Sequence, residues 1–518
     1  MPKPEGYGII YNWDGGPHGY SEVPQSMEVF LEKTFAPLED TQVGALFWCV
    51  GEHSARWDSE VLEQVGDVHG RQYENAQIFT ITENIRLMLE RGDDPQKALV
   101  ERGHQLGLQV YASVRMNDNH FNGAQLEDLN NLHHTELTRM RIEHPEWLLG
   151  PNAASDWFAL SWNFAVPEVR EHRLEHIREI CTRYDWDGVE LDWQRHAFHL
   201  PHDHAYRLRY ALTDLQRAVR QMTEGLARER GRPFHVAARV APCLETCFKI
   251  GYDIPNWIDE GLVDILIPAA NAGTDPSVDV SEFVDLCRDS EVVVYPGLDS
   301  GLPDPFVGPE DVETKEKMRT RAITSGYHQA GADGIYVFNW HANRDSRREL
   351  LLQVGSAETL RGTDKIYAAT HRFMVEEGAW RGAYRPDRIY GEVPVPLKLT
   401  LSGDGPVIML EIADEFSENT PEKLELRVRV DQWVKGDSVT LCWDGDRIEN
   451  PEVRYCMIHD HHRIGAVSGA VWLCASLNPA EIDQGPHQVK VILNQRHPQL
   501  ACDMVLTDVE LVLMYRSV

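Results

Sequence analysis

Eight times between residue 6 and about residue 350, a short apolar run is followed by a stretch with helical spacing. The runs are GYGIIYNWDGG, VGALFWCVGEH, LQVYASVRMND, DGVELDW, FHVAARVAP, VDILIPAANAG, EVVVYPGLDS and DGIYVFNWH. Strands separated by helices do not close as hairpins. They pair in parallel, with each crossover helix covering a sheet face. In PEVREHRLEHIREICTRY, for example, Val169, Leu174, Ile177, Ile180 and Cys181 recur at helical spacing with charges between them. Eight such units predict an α/β fold, a (β/α)8 TIM barrel over residues 1–360. The longest interruption, about 119–157, follows the third run. Loops on that side of a barrel strand usually build active-site walls.

The period changes near residue 385. PLKLTLSGDGPVIMLEIAD, KLELRVRVDQ, SVTLCWDGDRI, HQVKVILNQR and VLTDVELVLMY alternate apolar and polar residues in twos. That pattern predicts an antiparallel β-sandwich over 391–518, preceded by a connector over 361–390 that holds HRFMVEEGAWRGAYRPDRIY.

Composition removes several function classes. The net charge of −32 and the lack of any basic stretch argue against nucleic acid and against an anionic membrane surface. No window approaches eighteen apolar residues, so no membrane span is expected. Nine scattered cysteines suit buried thiols better than a disulfide framework. The start, MPKPEGYGII, lacks a basic-then-apolar leader. The expectation is a cytoplasmic chain, or a secreted or periplasmic one whose signal peptide has been removed. No cofactor is expected, and oligomeric state is not legible.

DGVELDW places carboxylates in a run that otherwise reads as buried. With a period of two, Val189, Leu191 and Trp193 face the helices, while Glu190, Asp192 and Gln194 face the barrel interior. Asp192 then lies at the C-terminal strand end, where barrel enzymes keep catalytic groups. A like charge beside Glu190 raises one carboxyl's pKa, which lets an acid and a base share a site. The structural alternative is a carboxylate pair held by Arg115 or Arg239. Other strand ends supply Trp48, Arg115, Asn117, Asp118, His120, Arg195, Asn271, Asp299 and Trp340. Carboxylates, amides, guanidiniums and Trp together form an inventory for gripping sugars. Glycoside cleavage needs two carboxyls. Asp192 is the first, and Glu245 is the first choice for its partner, with Glu190, Asp118, Glu52 and Asp299 as rivals. HAFHLPHDH has histidine spacing that can grip a metal, but Pro201 breaks the register; loop histidines, one or two of them touching substrate, are expected and no metal.

FAVPEVREHRLEHIREICTRYDWDGVELDW resembles a stretch shared by bacterial family-10-like glycosyl hydrolases, where a P-E-V-R helix leads into R-Y-x-x-D-G-(I/V)-x-x-D. The matching positions are Pro167, Glu168, Val169, Arg170, Arg183, Tyr184, Asp187, Gly188, Val189 and Asp192. DGVELDWQ is also similar to the D-G-x-D-x-D-x-E strand of family 18 chitinases, with Asp187, Glu190 and Asp192 on its first three acidic positions. Gln194 stands where that family has its acid, and an amide has no proton to give. The resemblance implies a glycosidase-type (β/α)8 barrel, and the function expected is a glycoside hydrolase acting on an oligo- or polysaccharide. The alternatives are a barrel that binds carbohydrate without cutting it, and a metal-dependent hydrolase using the histidine loop.

Overall fold

The computed structural model describes residues 2–16, 24–52, 54–121, 123–270, 273–276, 278–299, 310–370, 392–400, 403–457 and 467–515. Asn271, expected among the substrate-binding residues, lies outside them.

The eight apolar runs become eight parallel strands: β1 (Ile9–Trp13), β2 (Val43–Cys49), β3 (Gln109–Arg115), β4 (Gly188–Asp192), β5 (His235–Val240), β6 (Ile265–Pro268), β7 and β8 (Ile335–Phe338). β7 is in two pieces, Val293–Val294 and Gly297–Asp299, on either side of Pro296, which has no N–H to give to a ladder. The first piece pairs with β6 and the second with β8, and β8 pairs with β1. The sheet order therefore closes on itself through β7, and this part of the chain is a (β/α)8 barrel.

Three strands begin with the same device. An Asp just before a strand accepts from the N–H of the second residue of a neighbouring strand. Asp187 takes Val110 N at 2.7 Å, Asp264 takes Val236 N at 2.7 Å, and Asp333 takes Val294 N at 2.9 Å. Each carboxylate meets an orphan donor at the N-terminal rim. Asp187 also binds His104 at 2.9 Å and Arg232 at 2.5 Å, so it belongs to the end opposite Asp192.

Parallel register sets the interior in rows. Tyr111, Gly188 and His235 share one row, Ser113, Glu190 and Ala237 the next, and Arg115, Asp192 and Arg239 the third. Around them Ile10, Phe47, Ile265, Ile267, Tyr336 and Phe338 form an apolar cluster. A Cβ on Gly188 would overlap the Tyr111 ring and the His235 carbonyl oxygen. Gly188→Ala is expected to destabilise by about 1–3 kcal/mol through overpacking, read as a lower urea midpoint.

The described residues divide into two compact units. One holds the described chain through Asp299 together with Ala330–Gly355; the other holds the helix Val312–Gln329 and the described residues from Ser356 onward. In the second unit two antiparallel sheets form a β-sandwich. Strands β9 (Lys365–Ala368), β10 (Val395–Leu397), β12 (Lys423–Asp431), β15 (Glu452–Met457), β16 (Val467–Ser476) and β18 (Met504–Met514) form one sheet. Strands β11 (Val407–Ile412), β13 (Ser438–Trp443), β14 (Asp446–Ile448) and β17 (Gly485–Gln495) form the other. Their apolar faces meet through Leu426, Val428, Leu441, Val489, Val491 and Leu511. β9 lies within the stretch read from sequence as connector, and 371–390 of that stretch is outside the described residues. No described helix is long and apolar enough to cross a membrane.

Candidate active site

Asp192 closes β4 and faces the interior, in register with Arg115 on one side and Arg239 on the other. It has no exposed surface. Its Oδ1 accepts from Gln194 N at 3.1 Å and Arg195 N at 2.9 Å, and Arg239 Nη1 lies 3.1 Å from its Oδ2. Arg239 is held independently: Nη2 donates to Ala270 O at 2.6 Å, and the guanidinium lies over Phe338, 4.3 Å from the ring centre. This buried pair was foreseen as the structural alternative. Glu190, one row deeper, accepts from Asn12 Nδ2 at 2.7 Å. Burial, reinforced by the charge of Asp192, pushes its pKa up to about 7, against hydrogen bonds from Ser113 and Tyr336.

A second group gathers just past β3. Arg115 Nη1 donates to Asp118 Oδ2 at 2.8 Å, and its other Nη contacts Asp14, which follows β1 and is 43% exposed. Asp118 Oδ1 lies 2.5 Å from His196 Nδ1, 3.0 Å from His120 Nε2 and 3.7 Å from Arg195 Nε. Burial opposes the charge on Asp118, but His120, Arg115 and His196 outweigh it and hold its pKa well below the usual carboxylate range. The charge of Asp118 raises the pKa of His120, while burial pushes His196 down to about 3. A small cavity of about 40 Å³, lined by Glu52, Arg56, Arg115, Asp118 and Glu136 among others, adjoins this group. It has room for water rather than for a sugar ring.

The structure thus brings together Asp192, Glu190, Arg115, Asp118, His120 and Arg195. Asp299 ends β7, is half-buried, and accepts from Gly273 N at 3.0 Å. Gln194 is fully buried, and neither its Nε2 nor its Oε1 has a hydrogen-bond partner among the described residues.

Other expected site residues are placed elsewhere. Glu245 is on the helix Leu244–Ile250, 57% exposed, paired with Lys249 at 3.0 Å, and shares none of the Asp192 partners. Asn117 closes its amide on the Trp162 backbone, donating to O at 3.0 Å and accepting from N at 2.9 Å, so it pins the long loop after β3 instead of facing a ligand. Trp48 and Trp340 offer no sugar platform, because both are buried. Trp48 packs edge-on against Phe30 of the first helix, and Trp340 is covered by the Arg347 guanidinium. Of the histidine loop only His196 reaches the Asp118 group; His199 contacts Trp193 O at 2.7 Å.

In the sequence Asp14 and Arg239 are legible as polar strand ends and His196 as one of several loop histidines, but nothing there singles them out as site residues. His196 and Phe198 after β4, and Asn339 and His341 after β8, have φ of 53°, 80°, 49° and 44°. Non-glycine residues in that region are uncommon and gather at functional sites.

No protein-family model matches this sequence, and no curated protein matches it. Several solved structures align at low scores. A cycloisomaltooligosaccharide glucanotransferase from Paenibacillus sp. aligns with 97% of this chain and 57% of its own, at 9% identity and a TM-score of 0.34. A GH36 α-galactosidase from Geobacillus stearothermophilus covers 99% and 56%, at 11% identity and 0.34. A GH27 β-L-arabinopyranosidase from the same organism covers 98% and 97%, at 11% identity and 0.35. The chain spans little more than half the length of the first two. Scores of this size carry neither a substrate nor a residue assignment across to this chain.

Proposed function

We propose that the C-terminal mouth of the barrel binds a carbohydrate and hydrolyses a glycosidic bond. The observation that carries this reading is Gln194. A buried amide with both ends unmet costs about 1–3 kcal/mol for each unsatisfied group. Gln25 is also buried with both ends of its amide unmet among the described residues; what singles out Gln194 is its place beside Asp192. A ligand rich in hydroxyls supplies both a donor and an acceptor to such an amide. Gln194 directly follows the Asp192 turn, so that ligand would meet the charged row at the mouth.

In this reading Asp192 is the central carboxylate, as nucleophile or as the charge that stabilises a developing cation. Arg115 and Arg239 flank it, and Asp14 lies against Arg115. Asp299 acts on the charge of Arg239. Asp14 and Asp299 are the carboxylates of this arc that reach solvent, and the acid/base is drawn from them. Substrate must loosen the Asp192–Arg239 pair to reach the carboxylate. Backbone amides on Asp192, and Ala270 O on Arg239, keep both groups oriented while it does so.

The test is a panel of polysaccharides and aryl glycosides. The parent is expected to turn over at least one substrate. Asp14→Asn or Asp299→Asn is expected to lower kcat by about 100-fold or more, the usual scale of acid–base catalysis, with little change in KM. A barrel that binds sugar without cutting it is the second reading, and the zero exposure of Asp192 favours it. Saturable binding in calorimetry with no turnover on any panel member would select that reading.

A further inference from the structure

We infer that the second unit holds a binding site for one neutral sugar ring, in a pocket built wholly from that unit. The pocket has a volume of about 220 Å³, and every residue lining it belongs to the second unit. Its walls are the end of the helix Val312–Gln329, the helix Ala357–Leu360, the start of β9 and the segment 413–419 that follows β11. Gln484, just ahead of β17, completes it. It is several times larger than the cavity at Asp118, with room to exchange a group of waters for one ring-sized molecule.

The charges in this pocket are already matched. Lys365 is buried, and its Nζ donates to Leu360 O and to Asp414 Oδ1, both at 2.8 Å. The hydroxyls of Tyr367 and Tyr515 also donate to Asp414, at 2.5 and 3.2 Å. Arg361 stands 3.6 Å from Glu418, with both side chains exposed. A metal ion would therefore find the Asp414 carboxylate occupied, and an anion would meet Glu415 and Glu418.

The unspent groups are neutral. Among the described residues neither end of the Asn419 amide is hydrogen-bonded, yet the amide is positioned. A Cβ on Gly362, whose φ is 69°, would lie 2.8 Å from Asn419 Nδ2, so a residue with a side chain would push the amide aside. Gln484 Nε2 donates to Ala413 O at 2.6 Å, which fixes that amide and leaves its Oε1 as an acceptor. Ser325 Oγ is buried at the wall and has no partner among the described residues. Two amides and a hydroxyl offer donors and acceptors without net charge. Neighbouring hydroxyls on a sugar, each able to give and to accept, match that set. Ala357, Leu360 and Ala413 give the apolar wall that ring C–H groups require, the usual mix of a small-molecule site.

The experiment uses the full chain, with D-glucose, D-galactose, D-mannose and D-xylose as probes and amide hydrogen exchange as the readout. At least one sugar is expected to bind with a dissociation constant of about 1 mM, the scale for a ligand of about a dozen heavy atoms. It should slow exchange saturably in 357–365 and 413–419. Asn419→Ala and Gln484→Ala should each weaken that binding several-fold, the worth of one hydrogen bond. Ala357→Trp, at an exposed position, should abolish it by filling the pocket, with the melting temperature of the parent retained. The uronate of whichever sugar binds should bind several-fold more weakly, because its carboxylate meets the two glutamates. No saturable protection of these segments by any of the four sugars, protection unchanged in Ala357→Trp, or a uronate bound as tightly as its neutral sugar would overturn the site. Protection confined to the loops after the barrel strands would also overturn it, while supporting the mouth as a carbohydrate site. The inference does not rest on glycoside cleavage: a chain that cuts no glycan but shows this protection keeps the pocket and loses the hydrolase.

Discussion

Asp192→Asn is expected to destabilise the barrel by about 3–5 kcal/mol and to abolish turnover. The amide keeps the shape and retains an oxygen for the Gln194 and Arg195 N–H groups, so the loss comes from charge. Arg239 is buried and is left without its counter-ion. Breaking a buried pair from one side is costly, whereas replacing both partners by apolar groups of similar volume is often neutral. The double variant Asp192→Leu with Arg239→Met is therefore expected to recover most of the stability. Urea midpoints measure that recovery, and initial rates on the best panel substrate measure the chemistry. Stability recovered without turnover means that the Asp192 carboxylate reacts or stabilises charge. Recovered stability together with parental activity would reduce Asp192 to a structural ion and remove the central residue of the proposed mechanism.

The barrel was legible because its signal is repeated. Eight apolar runs with helices between them admit few arrangements, and each run seen in sequence contains a strand. The period of two also placed Glu190 and Asp192 on the inner face, since alternation in a strand is a local property. The break in β7 has a visible cause in Pro296, although a proline alone does not say that the two pieces pair with different neighbours. The sandwich was legible from the same period, as the buried and exposed alternation of Gly485–Gln495 illustrates.

The site was less legible, because it depends on register and on loops. The row Arg115–Asp192–Arg239 follows from how far three parallel strands slide past one another, and no local pattern encodes that offset. Asn117 has the right chemistry for a sugar, but a contact 45 residues away closes both ends of its amide. His196 enters the mouth through a left-handed backbone that a non-glycine residue does not advertise. Trp48 is the instructive case. Its neighbour Phe47 joins the interior cluster, so alternation turns Trp48 toward the helices. That inference needed only the inner face of β2 to be identified first.

Glu190 carries the second large effect, and its sign can be worked out. Burial and the Asp192 charge raise its folded pKa to about 7, above the ordinary value of 4.5. Below the ordinary value both folded and unfolded chains hold the proton, and the group contributes no pH dependence. Between the two values the unfolded chain releases the proton while the folded chain keeps it, so stability falls as pH rises. Above about 7 the penalty is complete, on the order of a few kcal/mol. Glu190→Gln retains an oxygen for Asn12 and cannot ionise. Its stability relative to the parent should therefore grow from pH 5 to pH 8, seen as melting temperatures that diverge across that window. The groups facing Glu190 are Asp192, Arg239, Ser113, Tyr336 and Asn12, and of these Asp192 is the one whose charge raises its pKa. Asp192→Asn should accordingly shift the parent's falling limb to lower pH. Parallel melting curves for Glu190→Gln and the parent would mean that Glu190 is ionised throughout and that no proton is stored beneath the mouth.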